Sequence, residues 1–113
     1  MELTVLAVPG CPNAPVLERR LAAALAGRPP VTVTRHVIAS AAEAAEWGMH
    51  GSPTLLVNGH DPFAVPGKGP ALACRLYQGD GGRLEGAPTV EALRRALERA
   101  GMRAARSEGD RSR

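Results

Sequence analysis

The strongest constraint in this chain is its N-terminal alternation of a strand pattern, a helix pattern and a second strand pattern. Leu3-Thr4-Val5-Leu6-Ala7-Val8 is a short apolar, β-branched run closed by Pro9-Gly10, the pattern of a buried strand that ends in a tight loop. From Pro15 onward, Leu17, Leu21 and Leu25 recur every four residues with Glu18, Arg19 and Arg20 between them. That spacing makes an amphipathic helix closing near Gly27 and Pro29, and Pro15 suits its first turn, where a missing N–H costs nothing. Val31 to Ile38 then alternates valines with Thr32, Thr34 and His36, the period of a strand. A helix between two strands of one sheet makes them parallel, with a right-handed crossover. The chain is therefore of the α/β class.

The remaining segments extend this unit. Ser40 with Glu43 three residues on forms a capping box, so a short helix is expected over Ala41 to Trp47, stopped by Gly48, with Trp47 as a core anchor. Thr54 to Val57 is a third strand leaving into the Asn58-Gly59 turn, and Ala71 to Tyr77 is a candidate fourth. Between them a Pro/Gly-rich stretch, His60 to Pro70, holds Asp61, Phe63 and Lys68 and is either a functional loop or an insertion. Gly79 to Gly82 is a turn, and Thr89 caps a last helix that places Leu93, Ala96, Leu97 and Ala100 on one face. The order β-α-β-α-β-β-α predicts a four-stranded mixed sheet flanked by about three helices.

A chain of 113 residues makes one core, expected over residues 1–101. With aromatics at only 3%, that core must be leucine, valine and alanine. Of the net charge of +3, two units come from the last eleven residues, where Arg103, Arg106, Arg111 and Arg113 face Glu108 and Asp110. Residues 102–113 read as a disordered basic tail, and no basic face with interleaved aromatics accompanies it, so a nucleic-acid partner is not expected. No apolar stretch approaches the ~20 residues needed to span a membrane, and Met-Glu-Leu-Thr-Val lacks the basic region of a signal peptide. The expectation is a cytoplasmic protein without a membrane partner. Two cysteines in a reducing compartment suit a reactive thiol with a buried or resolving companion better than a structural disulfide.

Cys11 lies between the first strand and the following helix, near the positive end of the helix field, a position that favours a nucleophilic thiolate. The alternative is a small buried hydrophobe. His36, His50 and His60 accompany the cysteines without a zinc-ligand spacing, so neither metal nor cofactor is expected. His36 alternates with valines as a surface or satisfied residue, whereas His50, close to Pro53, is a candidate modulator of Cys11.

Strand, cysteine loop, helix, strand, helix, and then Gly51-Ser52-Pro53-Thr54 before an apolar strand resembles the thioredoxin superfamily over about residues 2 to 100. The resemblance implies a thioredoxin-like fold, a cis Ser52–Pro53 bond packed beside Cys11, and a substrate-binding surface at Pro12, Ser52, Pro53 and Thr54. The chain departs from the family's Cys-x-x-Cys motif, since it reads Cys11-Pro12-Asn13-Ala14, and Gly10 replaces the usual aromatic. Cys11 then works as a monothiol, or Cys74 resolves it. A fourth strand antiparallel to the third would return Cys74 toward Pro53; otherwise Cys74 is a core-facing strand residue.

Gly51 to Gly59, Asp61-Pro62-Phe63 and Cys74-Arg75-Leu76-Tyr77 are also similar to small actinobacterial thioredoxin-like proteins sometimes labelled with alkylmercury lyases. That enzyme family uses two thiolates and an acid, and Cys11, Cys74 and Asp61 match by chemical type, without a motif alignment that transfers the activity. The expected function is thiol-dependent oxidoreduction of a thiol or disulfide substrate, small molecule or protein. The alternatives are a non-catalytic module binding a partner or soft metal, and an organomercurial lyase-like or mercury-binding protein. Nothing in the residues sets an oligomeric state.

Overall fold

Strand β1 (Leu3–Ala7) is the middle strand of the main sheet, and its apolar composition follows from having a neighbour on each side. The computed structural model describes residues 1–111, with side chains through Gly101. Beyond β1 the chain forms α1 (Ala14–Leu25), β2 (Val33–Val37), α2 (Ala41–Trp47), β3 (His50–Ser52) and β4 (Thr54–Val57). It continues through β5 (Ala71–Cys74), β6 (Tyr77–Gln78), a 3-10 turn, β7 (Leu84–Glu85) and α3 (Val90–Arg111). The tail expected over 102–113 lies outside the residues described with side chains.

Among the described residues the fold is mixed α/β with three helices, and its main sheet has the order β2-β1-β4. β1 and β2 are parallel from Leu3↔Val33 to Ala7↔Val37, as the intervening helix requires. β4 runs antiparallel to β1, Leu3 facing Val57 and Leu6 facing Thr54.

The two-residue period of the strands divides the core. Leu3, Val5, Leu55 and Val57 point to one face, where they meet Leu17 and Leu21 of α1 and Leu93 and Leu97 of α3. Leu6 and Leu56 point to the other, against Ile38, Met49 and Ala44 of α2. Each fully buried leucine contributes about 1.5–3 kcal/mol through the area it removes from water. The N-terminal caps of α2 and α3 are as the sequence predicts, whereas α3 continues past Gly101, where the sequence ended it, to Arg111. The Glu43 N–H donates to Ser40 Oγ (3.2 Å), the Ala39 N–H to Glu43 Oε1 (3.1 Å), and the Ala92 N–H to Thr89 Oγ1 (3.0 Å). Gly48 takes the left-handed conformation (φ 77°) that ends α2.

Two expectations need correction. The largest sheet among the described residues has three strands, not four. Pro53 has no N–H to donate to a ladder and separates β3 from β4, so the two strands take different partners. β5 pairs in parallel with β3, His50 opposite Ala71 and Ser52 opposite Cys74, while β6 pairs with β7 in a separate ribbon. Trp47, expected in the core, is 39% exposed and stacks on His36 at 4.1 Å between ring centroids. Met49, which follows Gly48, is fully buried.

No helix among the described residues is long and apolar enough to cross a membrane. The leucine layer between α1 and α3 is expected to carry most of the stability. Leu97→Ala should lower the unfolding free energy by about 2–5 kcal/mol in urea titrations, and Arg94→Ala, on the exposed side of the same helix, by less than about 0.5 kcal/mol.

Candidate functional site

After β1 the chain makes two tight reversals before α1 begins. The Cys11 N–H donates to the Val8 carbonyl (3.2 Å) and the Cys11 carbonyl accepts from the Ala14 N–H (3.4 Å). Gly10 supplies the left-handed residue of the first reversal (φ 71°). Asn13 is the N-cap of α1 and makes no side-chain cap. Cys11 therefore lies two residues before the N-cap, a free and half-buried thiol at the margin of the helix field. Ala14, where the family motif would have a second cysteine, is buried.

The Ser52–Pro53 peptide bond is cis, as the resemblance implies. Ser52 is 1% exposed, and its hydroxyl accepts a hydrogen bond from the Val8 N–H at 3.0 Å. This bond fastens the start of the Cys11 loop to the Ser52–Pro53 turn. Thr54 is fully buried; its hydroxyl donates to the Gly51 carbonyl (2.7 Å) and accepts from Arg75 Nη1 (3.1 Å).

Arg75 is the hub behind that turn. Its guanidinium meets both carboxylate oxygens of Asp61, at 2.6 and 3.4 Å, and the Phe63 carbonyl at 2.7 Å. Its charge lies over the Tyr77 ring, 4.7 Å from the centroid. The Tyr77 hydroxyl donates to the Pro53 carbonyl, and Phe63 packs edge-on against the Tyr77 ring at 5.7 Å. Burial raises the Tyr77 phenol pKa well above its ordinary value, with Arg75 acting in the opposite direction. Gly51 makes room for the hub. At φ 106°, a Cβ there would lie 2.8 Å from the Cβ of Arg75 and 3.2 Å from the Ala73 carbonyl oxygen.

In β2, Arg35 is held by Glu18 of α1 through a two-pronged ion pair. Its guanidinium pKa is raised, first by the hydrogen bond to Glu18, with attraction from Glu18 and Cys11 adding to it.

The other expected site residues are placed as follows. Pro12 is exposed in the loop, and Pro53 is fully buried. Cys74 is an exposed thiol rather than a core residue. It sits beside Ser52 because β5 runs parallel to β3, not because a fourth strand returns antiparallel. Cys74 lines a cleft with His50, Val65, Lys68, Arg75 and Leu76, and Cys11 is not among the lining residues. His50 accordingly belongs with Cys74. Asp61 is committed to Arg75 and to the Phe63 N–H (2.9 Å). The Ser52 carbonyl accepts from the Arg75 N–H (3.1 Å), so β5 occupies that side of the turn. A concavity of about 610 Å³ beside Thr4, Thr34, His36 and Trp47 contains neither cysteine.

Comparison with family models, curated proteins and solved structures gives no match. The site is thus defined by its own geometry. The sequence assigned no role to Arg75 or Tyr77. The available signal was an arginine within the apolar run Ala71 to Tyr77, with Asp61 as an acid in the preceding loop.

The side chains of Arg75 and Asp61 are only 9% and 6% exposed, so removing either charge strands the other. Arg75→Met and Asp61→Asn are each expected to cost about 3–5 kcal/mol in urea unfolding, and Arg75→Met combined with Asp61→Leu markedly less than the sum. Tyr77 binds its proton more tightly folded than unfolded, so above the ordinary phenol pKa of about 10 the folded state holds more protons and stability falls as pH rises. Tyr77→Phe should flatten that alkaline loss in unfolding measured from pH 8 to pH 11, roughly the span over which a free phenol ionises.

Proposed function

We propose that the protein is a thioredoxin-like, thiol-dependent oxidoreductase that works through Cys11 as a monothiol. The observation that carries this function is the hydrogen bond from the Val8 N–H to Ser52 Oγ, which holds the Cys11 loop against the cis Ser52–Pro53 turn. Supporting it is the half-buried free thiol ahead of α1. The Cys11 thiolate attacks one sulfur of a substrate disulfide, the S–S bond breaks, and the departing half leaves as a thiolate. A second, external thiol then attacks the mixed disulfide and restores Cys11. With alanine at position 14 and Cys74 lining a separate cleft, an external thiol is the better supported resolving group.

One observation favours a second function, that of a non-catalytic binding module. β5 lies along β3, and the Arg75 N–H just after it takes the Ser52 carbonyl, backbone that an extended substrate of a thioredoxin-like protein would use. The organomercurial alternative has less support, because its acid, Asp61, is held by Arg75.

The test uses Cys74→Ser protein with glutathione disulfide, followed by intact-mass analysis. Catalysis predicts an adduct on Cys11 forming at least about tenfold faster than on a free cysteine peptide, the effect of an activated, partly exposed thiol, and its removal by excess thiol with turnover. An adduct rate no faster than that of the peptide would leave the binding module.

A further inference from the structure

Cys74 and His50 come from neighbouring strands, β5 and β3, and line one cleft of about 220 Å³. The loop after β4 closes it with Val65 and Lys68, and Arg75 and Leu76 complete the wall. The space is that of an amino-acid-sized molecule.

The groups around it have complementary chemistry. Cys74 is an exposed thiol, free of any disulfide. Arg75 has its charge balanced by Asp61. Lys68 makes no ion pair among the described residues, so its ammonium is the uncompensated charge of the cleft. His50 Nδ1 is buried without a hydrogen-bond partner among those residues, although buried polar atoms are nearly always paired. Val65 and Leu76, 55% and 62% exposed, add an apolar surface. Nucleophile, cation and apolar wall therefore converge without involving the Cys11 loop.

We propose that this cleft is a second thiol site, which binds small disulfides bearing a carboxylate and exchanges them onto Cys74. Lys68 attracts the carboxylate, and the short aliphatic chain lies against Val65 and Leu76. The Cys74 thiol loses its proton to water and its sulfur attacks one sulfur of the bound disulfide. A Cys74–substrate S–S bond forms, the original S–S bond breaks, and the other half leaves as a thiolate carrying the electron pair. Cys74 is oxidised and one equivalent of small thiol is released, so the disulfide itself is the oxidant.

The site is tested in Cys11→Ser protein, where Cys74 is the remaining thiol, with three disulfides of similar size. These are dithiodipropionate (acidic), hydroxyethyl disulfide (neutral) and cystamine (cationic), with adduct formation followed by intact mass. The acidic reagent should react about fivefold faster than the neutral one and the cationic reagent about fivefold slower, the effect of one nearby unit charge. Lys68→Gln should remove this ranking, and so should 1 M salt, where the screening length falls to about 3 Å. Equal rates for the three reagents in the Lys68 protein, or a ranking that survives Lys68→Gln, would overturn the proposal. Cys11 reactivity is read separately in Cys74→Ser protein, so either site can fail without the other.

Discussion

The buried guanidinium of Arg75 is the constraint on which the functional end of this molecule depends. A charge removed from water must be neutralised and hydrogen-bonded, or it destabilises the fold by several kcal/mol. Asp61 neutralises it, while Thr54 Oγ1 and the Phe63 carbonyl take further N–H groups. Satisfying that one side chain draws the start of β4 and the loop after it to a common point. Tyr77 joins them beneath the guanidinium and reaches the Pro53 carbonyl. The Ser52–Pro53 turn is then held from behind by Tyr77 and from in front by the Val8 N–H on Ser52 Oγ.

This arrangement offsets a core with few large residues. The two apolar layers are almost wholly leucine, valine and alanine, and they lie where α1, α3 and α2 cover the main sheet. Those layers define the scaffold, and the segment from His60 to Pro70 meets them through Phe63. To that contact the chain adds an ion pair, a cation over an aromatic ring and an edge-on ring contact. Scaffold and site are therefore stabilised by different physics. Substitutions in the leucine layer act on the whole fold, and those around Arg75 act first on the turn and the cleft.

The elements with strong local signals were legible in the sequence. The apolar run Leu3 to Val8, the leucine spacing of α1 and the caps at Ser40 and Thr89 specify their own structure from neighbouring residues. The cis bond at Pro53 was legible only through the resemblance carried by Gly51 to Thr54. What was not legible depends on partners distant in sequence. The run Ala71 to Tyr77 looks like one strand, yet Arg75 divides it by turning to Asp61, fourteen residues earlier. Trp47 has a core-like helix position but stacks on His36 at the edge of the sheet, because β2 has a single neighbouring strand. Cys74 and His50 share a cleft only because β5 takes β3 as its partner, and no periodicity encodes that choice.

The proposed chemistry at Cys11 requires its loop to stay fastened to the Pro53 turn, and the Arg75 network holds that turn. Amide hydrogen exchange at Val8 tests this link directly, because the Val8 N–H donates to Ser52 Oγ and is remote from Arg75 in sequence. Exchange should be slow in the unmutated protein. In folded Arg75→Met protein it should accelerate, while the Leu97 amide, within α3, keeps protection in proportion to global stability. A Val8 amide that keeps its protection, relative to Leu97, after Arg75 is replaced would contradict the account.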